Sequence, residues 1–133
     1  MITKSFLPEL NAVYEIQDFI KLQLTKTGFS QKKLLTFDLV IEEIITNIIQ
    51  HGLKNTEKGY ITIGLEIKDE KGIIEICDNG IRFNPLQEKD PDINAPLENR
   101  ESGGLGIFLV KQLAEHIDYS YKDNLNILRI VLK

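Results

Sequence analysis

The chain has 133 residues, 42% of them hydrophobic and 27% charged, with a formal net charge of −4 and a pI near 5.2. That length is expected to form one domain over residues 1–133, large enough to bury roughly two-thirds of its unfolded surface. The acidic balance argues against nucleic acid or an anionic membrane surface as a direct partner. The single cysteine, Cys77, has no disulfide or metal-spaced companion, and no signal pattern or membrane-length apolar run is present, so a reducing, cytoplasmic setting is expected.

Residues Met1–Phe6 alternate weakly and run up to Pro8, which suits a short edge strand. Asn11 is placed to cap a first helix reaching about Thr25, with Val13, Ile16, Phe19, Ile20 and Leu24 on one face. Gly28 breaks it, and Ser30 caps a second helix whose apolar residues Leu34, Phe37, Ile41, Ile44, Ile45 and Ile48 recur at helical spacing through Gln50. Glu43, Asn47 and His51 follow one another at four-residue intervals along the margin of that apolar face, and Gly52 is expected to stop the helix at C′.

Tyr60–Lys68 alternates as a strand, and Lys68-Asp69-Glu70-Lys71-Gly72 turns the chain back into a second strand, Ile73–Cys77. That strand ends at Asp78-Asn79-Gly80. Residues 83–102 then hold three of the four prolines and little periodicity, the composition of a lid or binding loop. Gly103-Gly104-Leu105-Gly106 opens a third helix carrying Ile107, Phe108, Val110, Leu113, Ala114 and Ile117. Tyr119–Lys122 and Leu125–Leu132 close the chain as a hairpin through Asp123-Asn124.

Each polar cluster has two readings when taken alone. Glu43 and Asn47 are either border residues of a core helix or the lining of a pocket, where an Asn oxygen together with water and phosphate oxygens suits Mg²⁺. Asp78-Asn79-Gly80 is either an ordinary turn or a carboxylate that accepts from an exocyclic amino group, with a glycine that lets a flat base approach. The glycine run at 103–106 is either a loose helix start or a set of backbone N–H groups offered to phosphate.

Taken together and in this order, the three clusters resemble the GHKL ATP-binding superfamily of gyrases, heat-shock chaperones, sensor histidine kinases and mismatch-repair proteins. Glu43-x-x-x-Asn47 is similar to its N-box, Asp78-x-Gly80 to its adenine box, and Gly103-x-Leu105-Gly106 to its phosphate-binding glycine box. Thr46-Asn47-Ile48-Ile49, His51-Gly52 and Gly104-Leu105-Gly106-Ile107 most resemble the anti-sigma factor serine/threonine kinases of bacterial partner-switching systems. With no phosphoacceptor helices ahead of the domain and no transducer behind it, a sensor kinase or gyrase-like machine is not expected.

The resemblance implies a two-layer α/β sandwich: a mixed, mostly antiparallel sheet of about five strands, covered on one face by three helices. It implies ATP or ADP with Mg²⁺ as cofactors, Asn47 as the Mg²⁺ ligand and Glu43 as the base that orients a serine hydroxyl. Asp78 and Gly80 would form the adenine pocket. Gly103, Gly104, Leu105 and Gly106 would take the phosphates, with His51 and Arg100 also in the nucleotide site, and residues 83–102 would form the ATP lid. The implied partners are a STAS-type anti-sigma factor antagonist and a sigma factor, with a homodimer through the sheet side.

Two departures from the family pattern stand out. Leu125-Asn126-Ile127 lies where the family has a Gly-Thr pair near the adenine. The lid is acidic, with Glu88, Asp90, Asp92, Glu98 and Glu101 against Lys89 and Arg100, so Arg100, Arg82 and Lys111 are the candidate cations for γ-phosphate. The alternative function is a nucleotide-dependent protein-binding module of the same fold with little or no phosphotransfer; a third is a plain α/β interaction domain.

Overall fold

A computed structural model describes residues 1–87 and 105–132, and of Leu105 and Gly106 the backbone only. Gly103, Gly104, Arg100 and most of the expected lid lie outside the described residues.

Five strands form one open sheet. They are β1 (Ile2–Phe6), β2 (Ile61–Lys68), β3 (Lys71–Asp78), β4 (Ala114–Lys122) and β5 (Leu125–Leu132), in the spatial order β1-β2-β3-β5-β4. All four pairings are antiparallel, so the sheet expected to be mostly antiparallel is wholly so. β1 is an edge strand, as its length and the following Pro8 suggest. The β2–β3 and β4–β5 connections are two-residue hairpins whose central residues all have positive φ: Asp69 (53°), Glu70 (66°), Asp123 (53°) and Asn124 (64°). That is the backbone twist that matches a right-handed pair of strands.

Three helices, α1 (Ala12–Thr25), α2 (Gln31–Asn47) and α3 (Leu105–Leu113), cover one face. Strand alternation sends Ile61, Ile63 and Leu65, Ile74 and Ile76, and Leu128, Ile130 and Leu132 to that side. There they meet Ile16, Ile20 and Leu24 of α1, Phe37, Val40, Ile41 and Ile45 of α2, and Val110 of α3 in one continuous core. Burying side chains of this size stabilises the fold by about 1.5–3 kcal/mol each before entropy is counted. The opposite face carries Ile73, Cys77, Ile127 and Val131 interleaved with a Glu75–Arg129 ion pair at 3.8 Å. On its β1 side the Met1 thioether lies over Gly64, where a Cβ would meet Sδ at 2.5 Å.

Four local expectations need correction. Ser30 caps α2 as expected, its Oγ accepting from Lys33 N at 3.2 Å, but Asn11 is itself helical and makes no capping hydrogen bond. The second helix does not continue as an α-helix to Gln50. It gives way to a π turn over Ile48–Gly52, in which Leu53 N–H reaches back five residues to Ile48 O at 2.8 Å. Gly52 lies inside that turn without positive φ and is therefore not an αL stop, whereas Gly28 after α1 does take φ of 82°. Finally, α3 ends at Leu113 rather than near Ile117. Ala114 and Ile117 belong to β4 and pair with Leu132 and Ile130. An apolar spacing of three or four residues does not distinguish the end of a helix from the start of a strand, and here the ladder with β5 takes the backbone groups.

Candidate functional site

β3 is the central strand, and its last residue, Asp78, sits between Ile61 of β2 and Asn126 of β5. The strand's alternation turns Asp78 toward the helices, so a carboxylate ends in the core layer, 5% exposed. Burial raises its pKa above the ordinary carboxylate value, while hydrogen bonds from Gly80 and Asn126 act in the opposite sense. Both bonds go to one oxygen: Oδ1 accepts from Gly80 N at 2.9 Å and from Asn126 Nδ2 at 3.1 Å. No described hydrogen bond reaches Oδ2.

The neighbouring Asn79 holds the turn from outside. Its Oδ1 accepts from Tyr60 N at 2.9 Å and its Nδ2 donates to Lys58 O at 3.2 Å, tying the end of β3 to the entry of β2. Gly80 has a different reason to be glycine from the one the sequence suggests. A Cβ there would lie 2.3 Å from the carbonyl oxygen of Gly52, and that same oxygen accepts from Ile81 N at 3.1 Å. Glycine is needed here because two backbones touch. The contact seats the loop after β3 on the π turn that follows α2.

The Glu43–Asn47 row lies on α2, which runs directly into that turn. Both residues are half-buried on the last turns of α2, one turn apart. Glu43 Oε1 is buried and has no hydrogen-bond partner among the described residues. Buried polar atoms are satisfied in nearly all cases, and an orphaned carboxylate oxygen calls for a partner that the described residues do not supply. His51 does not continue the row. It lies in the π turn beyond the end of α2, and its side chain is exposed where those of Glu43 and Asn47 are half-buried.

Of the candidate cations, Arg82 is exposed with its guanidinium 5.1 Å from the Tyr121 ring centroid, and Lys111 is half-buried on α3. The backbone of Leu105 and Gly106 forms the first turn of α3, which packs against α2. Among the described residues no His/Cys/Asp/Glu group of metal-binding size occurs. An orphaned carboxylate oxygen, a neighbouring amide and a half-occupied buried carboxylate therefore fit a nucleotide and its cation.

Sequence reasoning gave Asn126 no contact of its own, yet its side chain is the most connected in the site. It is 6% exposed, and its Nδ2 donates to Asp78 Oδ1 and to Ile81 O at 2.8 Å. Its Oδ1 accepts from Phe83 N at 3.0 Å and from the Tyr119 hydroxyl. The one available signal was an Asn at an inward strand position, where an aliphatic residue is the norm.

An open sheet with three helices on one face, a carboxylate at the end of its central strand and an Asn-bearing helix beside it define a class of nucleotide-binding domain. Residues 6–132 match the model of the histidine kinase-like ATPase domain, and the chain belongs to that family. It is similar to proteins named serine-protein kinase RsbW. The relative from Listeria monocytogenes serovar 1/2a is 30% identical over 107 residues, covering 77% of this chain and 68% of the relative. The one from Bacillus cereus ATCC 10987 is 32% identical over 107 residues, covering 77% and 66%. Among solved structures, the histidine kinase domain of the Erythrobacter litoralis EL346 blue-light activated histidine kinase shares the fold at a TM-score of 0.57 and 17% identity, over 92% of this chain and 60% of that one. A second structure of that kinase gives 0.58 and 14%, with 40% of its chain spanned. No helix among the described residues is long and apolar enough to cross a membrane.

Proposed function

We propose that this chain is an ATP-dependent serine/threonine protein kinase that phosphorylates a STAS-type anti-sigma factor antagonist and also binds a sigma factor, working in the cytoplasm. The observation that carries the proposal is the orphaned Glu43 Oε1, one helical turn from Asn47, on the helix that leads into the π turn against which the Asp78 loop seats. The relatives' name, serine-protein kinase, supports the same reaction class.

In this reading Asp78 Oδ2 accepts from the adenine amino group, and Gly80 lets the loop seat against the π turn after α2. Asn47 holds Mg²⁺, which when bound neutralises charge on the phosphate oxygens. Gly103, Gly104, Leu105 and Gly106 surround the phosphates, with Arg100 and His51 at the periphery and residues 83–102 as the lid. Glu43 accepts the proton of the attacking serine hydroxyl. The serine Oγ–P bond forms as the bond from the γ-phosphorus to its bridging oxygen breaks, and ADP leaves. The sheet face bearing Met1, Ile73 and Val131 is the surface for a homodimer.

The deciding experiment compares wild type with Glu43→Gln, which keeps shape and hydrogen bonding but removes basicity. A positioned base is worth on the order of 10²–10⁴-fold in rate. Phosphate transfer from labelled ATP to a cognate antagonist is expected to fall by about that factor, with ATP affinity little changed. Equal transfer rates would leave Glu43 a structural carboxylate; absent transfer by wild type with intact ATP binding would leave a nucleotide-dependent binding module.

A further inference from the structure

Asn126 uses both ends of its amide. Its oxygen faces two donors, Phe83 N–H and the Tyr119 hydroxyl, and its nitrogen faces two acceptors, Asp78 Oδ1 and Ile81 O, with Gly80 O at 3.4 Å. The Phe83 N–H can only donate, so it fixes which end of the amide is oxygen; a flipped amide would set N–H against N–H. One side chain thus joins the end of the central strand, the first residues of the loop after it, and edge strand β4.

We propose that Asn126 is a positioning residue with two linked tasks. It saturates Asp78 Oδ1, so that Oδ2 alone faces an incoming base, and it latches residues 81–83, where the lid segment begins, to that carboxylate. The first task rests on the nucleotide reading above; the second does not. With Oδ1 occupied, the base meets a single fixed acceptor. An amino group satisfies it and a carbonyl oxygen is repelled, so purine selection depends on Asn126 although Asn126 need not touch the base. Because the same amide holds Phe83, displacing the carboxylate and releasing the lid root become one event. Tyr119, donating to the amide oxygen, holds the amide from β4.

The test uses the full chain with Asn126→Ala and Asn126→Asp. In the Ala variant the Phe83 amide loses its acceptor, whereas Ile81 N–H keeps Gly52 O at 3.1 Å. Hydrogen exchange without nucleotide is therefore expected to accelerate at Phe83 at least about tenfold while Ile81 changes little. Equal acceleration at both, or at neither, overturns the latch.

Asn126→Asp puts a second carboxylate about 3 Å from Asp78, and the pair then holds one proton between them as pH falls. The titratable and charged groups around it are Asp78 and Tyr119, with Arg82 and Tyr121 acting on Tyr119. By calorimetry at about pH 8, this variant is expected to bind ATP roughly 5- to 150-fold more weakly and to lose preference over GTP. Affinity recovers toward about pH 5 as the shared proton restores a donor to Asp78. Wild type shows no such recovery, because its Asp78 has no second carboxylate with which to share a proton. Asn126→Asp with wild-type affinity and pH profile overturns the aiming role. Wild type that binds no ATP overturns the nucleotide reading and the aiming role with it, while the exchange contrast still decides the latch. Should the Ala variant not fold, Asn126→Leu, which is close in size and offers no acceptor, gives the same contrast of Phe83 against Ile81 at one fixed pH.

Discussion

Two glycines that touch across the site are expected to respond oppositely to the same substitution. At Gly80 a Cβ would meet Gly52 O at 2.3 Å and Gly52 C at 2.7 Å, both backbone atoms with no rotamer to escape into, and Asp78 Oδ1 at 3.0 Å. Relieving the contact to an ordinary separation moves the loop by about 1 Å. Gly52 O also accepts from Ile81 N at 3.1 Å, so that movement stretches the bond beyond hydrogen-bonding range. Overpacking costs about 1–3 kcal/mol and the lost bond about 1 kcal/mol, which gives roughly 2–4 kcal/mol for Gly80→Ala. For a chain of this length that lowers Tm by about 8–16 °C.

At Gly52, by contrast, a Cβ meets nothing within 4 Å and φ is not positive. Gly52→Ala is expected to be neutral or to gain up to about 0.5–1 kcal/mol from reduced backbone entropy in the unfolded chain. Urea unfolding followed by circular dichroism measures both, the chain having no tryptophan. A Gly80→Ala variant within about 0.5 kcal/mol of wild type, the usual scatter of neutral substitutions, or a Gly52→Ala variant equally damaged, would refute the close-approach account.

Asp78→Asn keeps an oxygen for Gly80 N and Asn126 Nδ2 but offers a base a donor in place of an acceptor, so ATP affinity should fall roughly 5- to 150-fold in calorimetry. The same variant should flatten the pH dependence of stability: the folded pKa of Asp78 is raised, so the stability linked to it is full below the unfolded carboxylate pKa and is lost as pH rises through the folded one. Wild type should therefore lose stability relative to Asp78→Asn across that acidic window, and parallel stability curves would contradict it. Cys77 has its thiol pushed up to about 11, first by burial and then by Glu75, so at about pH 8 only about one thiol in a thousand is ionised and iodoacetamide should label native protein far more slowly than unfolded protein. The Lys21–Asp38 pair at 2.9 Å is 41% and 21% exposed, and Lys21→Met should change stability by no more than about 1 kcal/mol in urea melts.

Local chemistry determined much of this molecule. Apolar spacing placed α1 and the first part of α2, alternation placed β2 and β5, and Ser30 marked a cap that the structure contains. These signals are legible because each is set by residues within a turn or a strand length. Glu43 and Asn47 stand out for the same reason, as polar residues at the margin of a periodic apolar face, and Asp78 stands out as a carboxylate where a strand ends. What the tertiary structure decided lies where two segments compete for the same backbone groups. The π turn at Ile48–Gly52 and the early end of α3 are answers to packing against the loop after β3 and to the ladder with β5. Gly80 reads locally as a flexible turn, and only the facing carbonyl of Gly52 shows why a methyl group does not fit. Asn126 lies 48 residues from Asp78, and the hydrogen bond between them exists because β5 inserts beside β3 in register. A side chain's partners across a sheet follow from register, and register is set by the whole sheet.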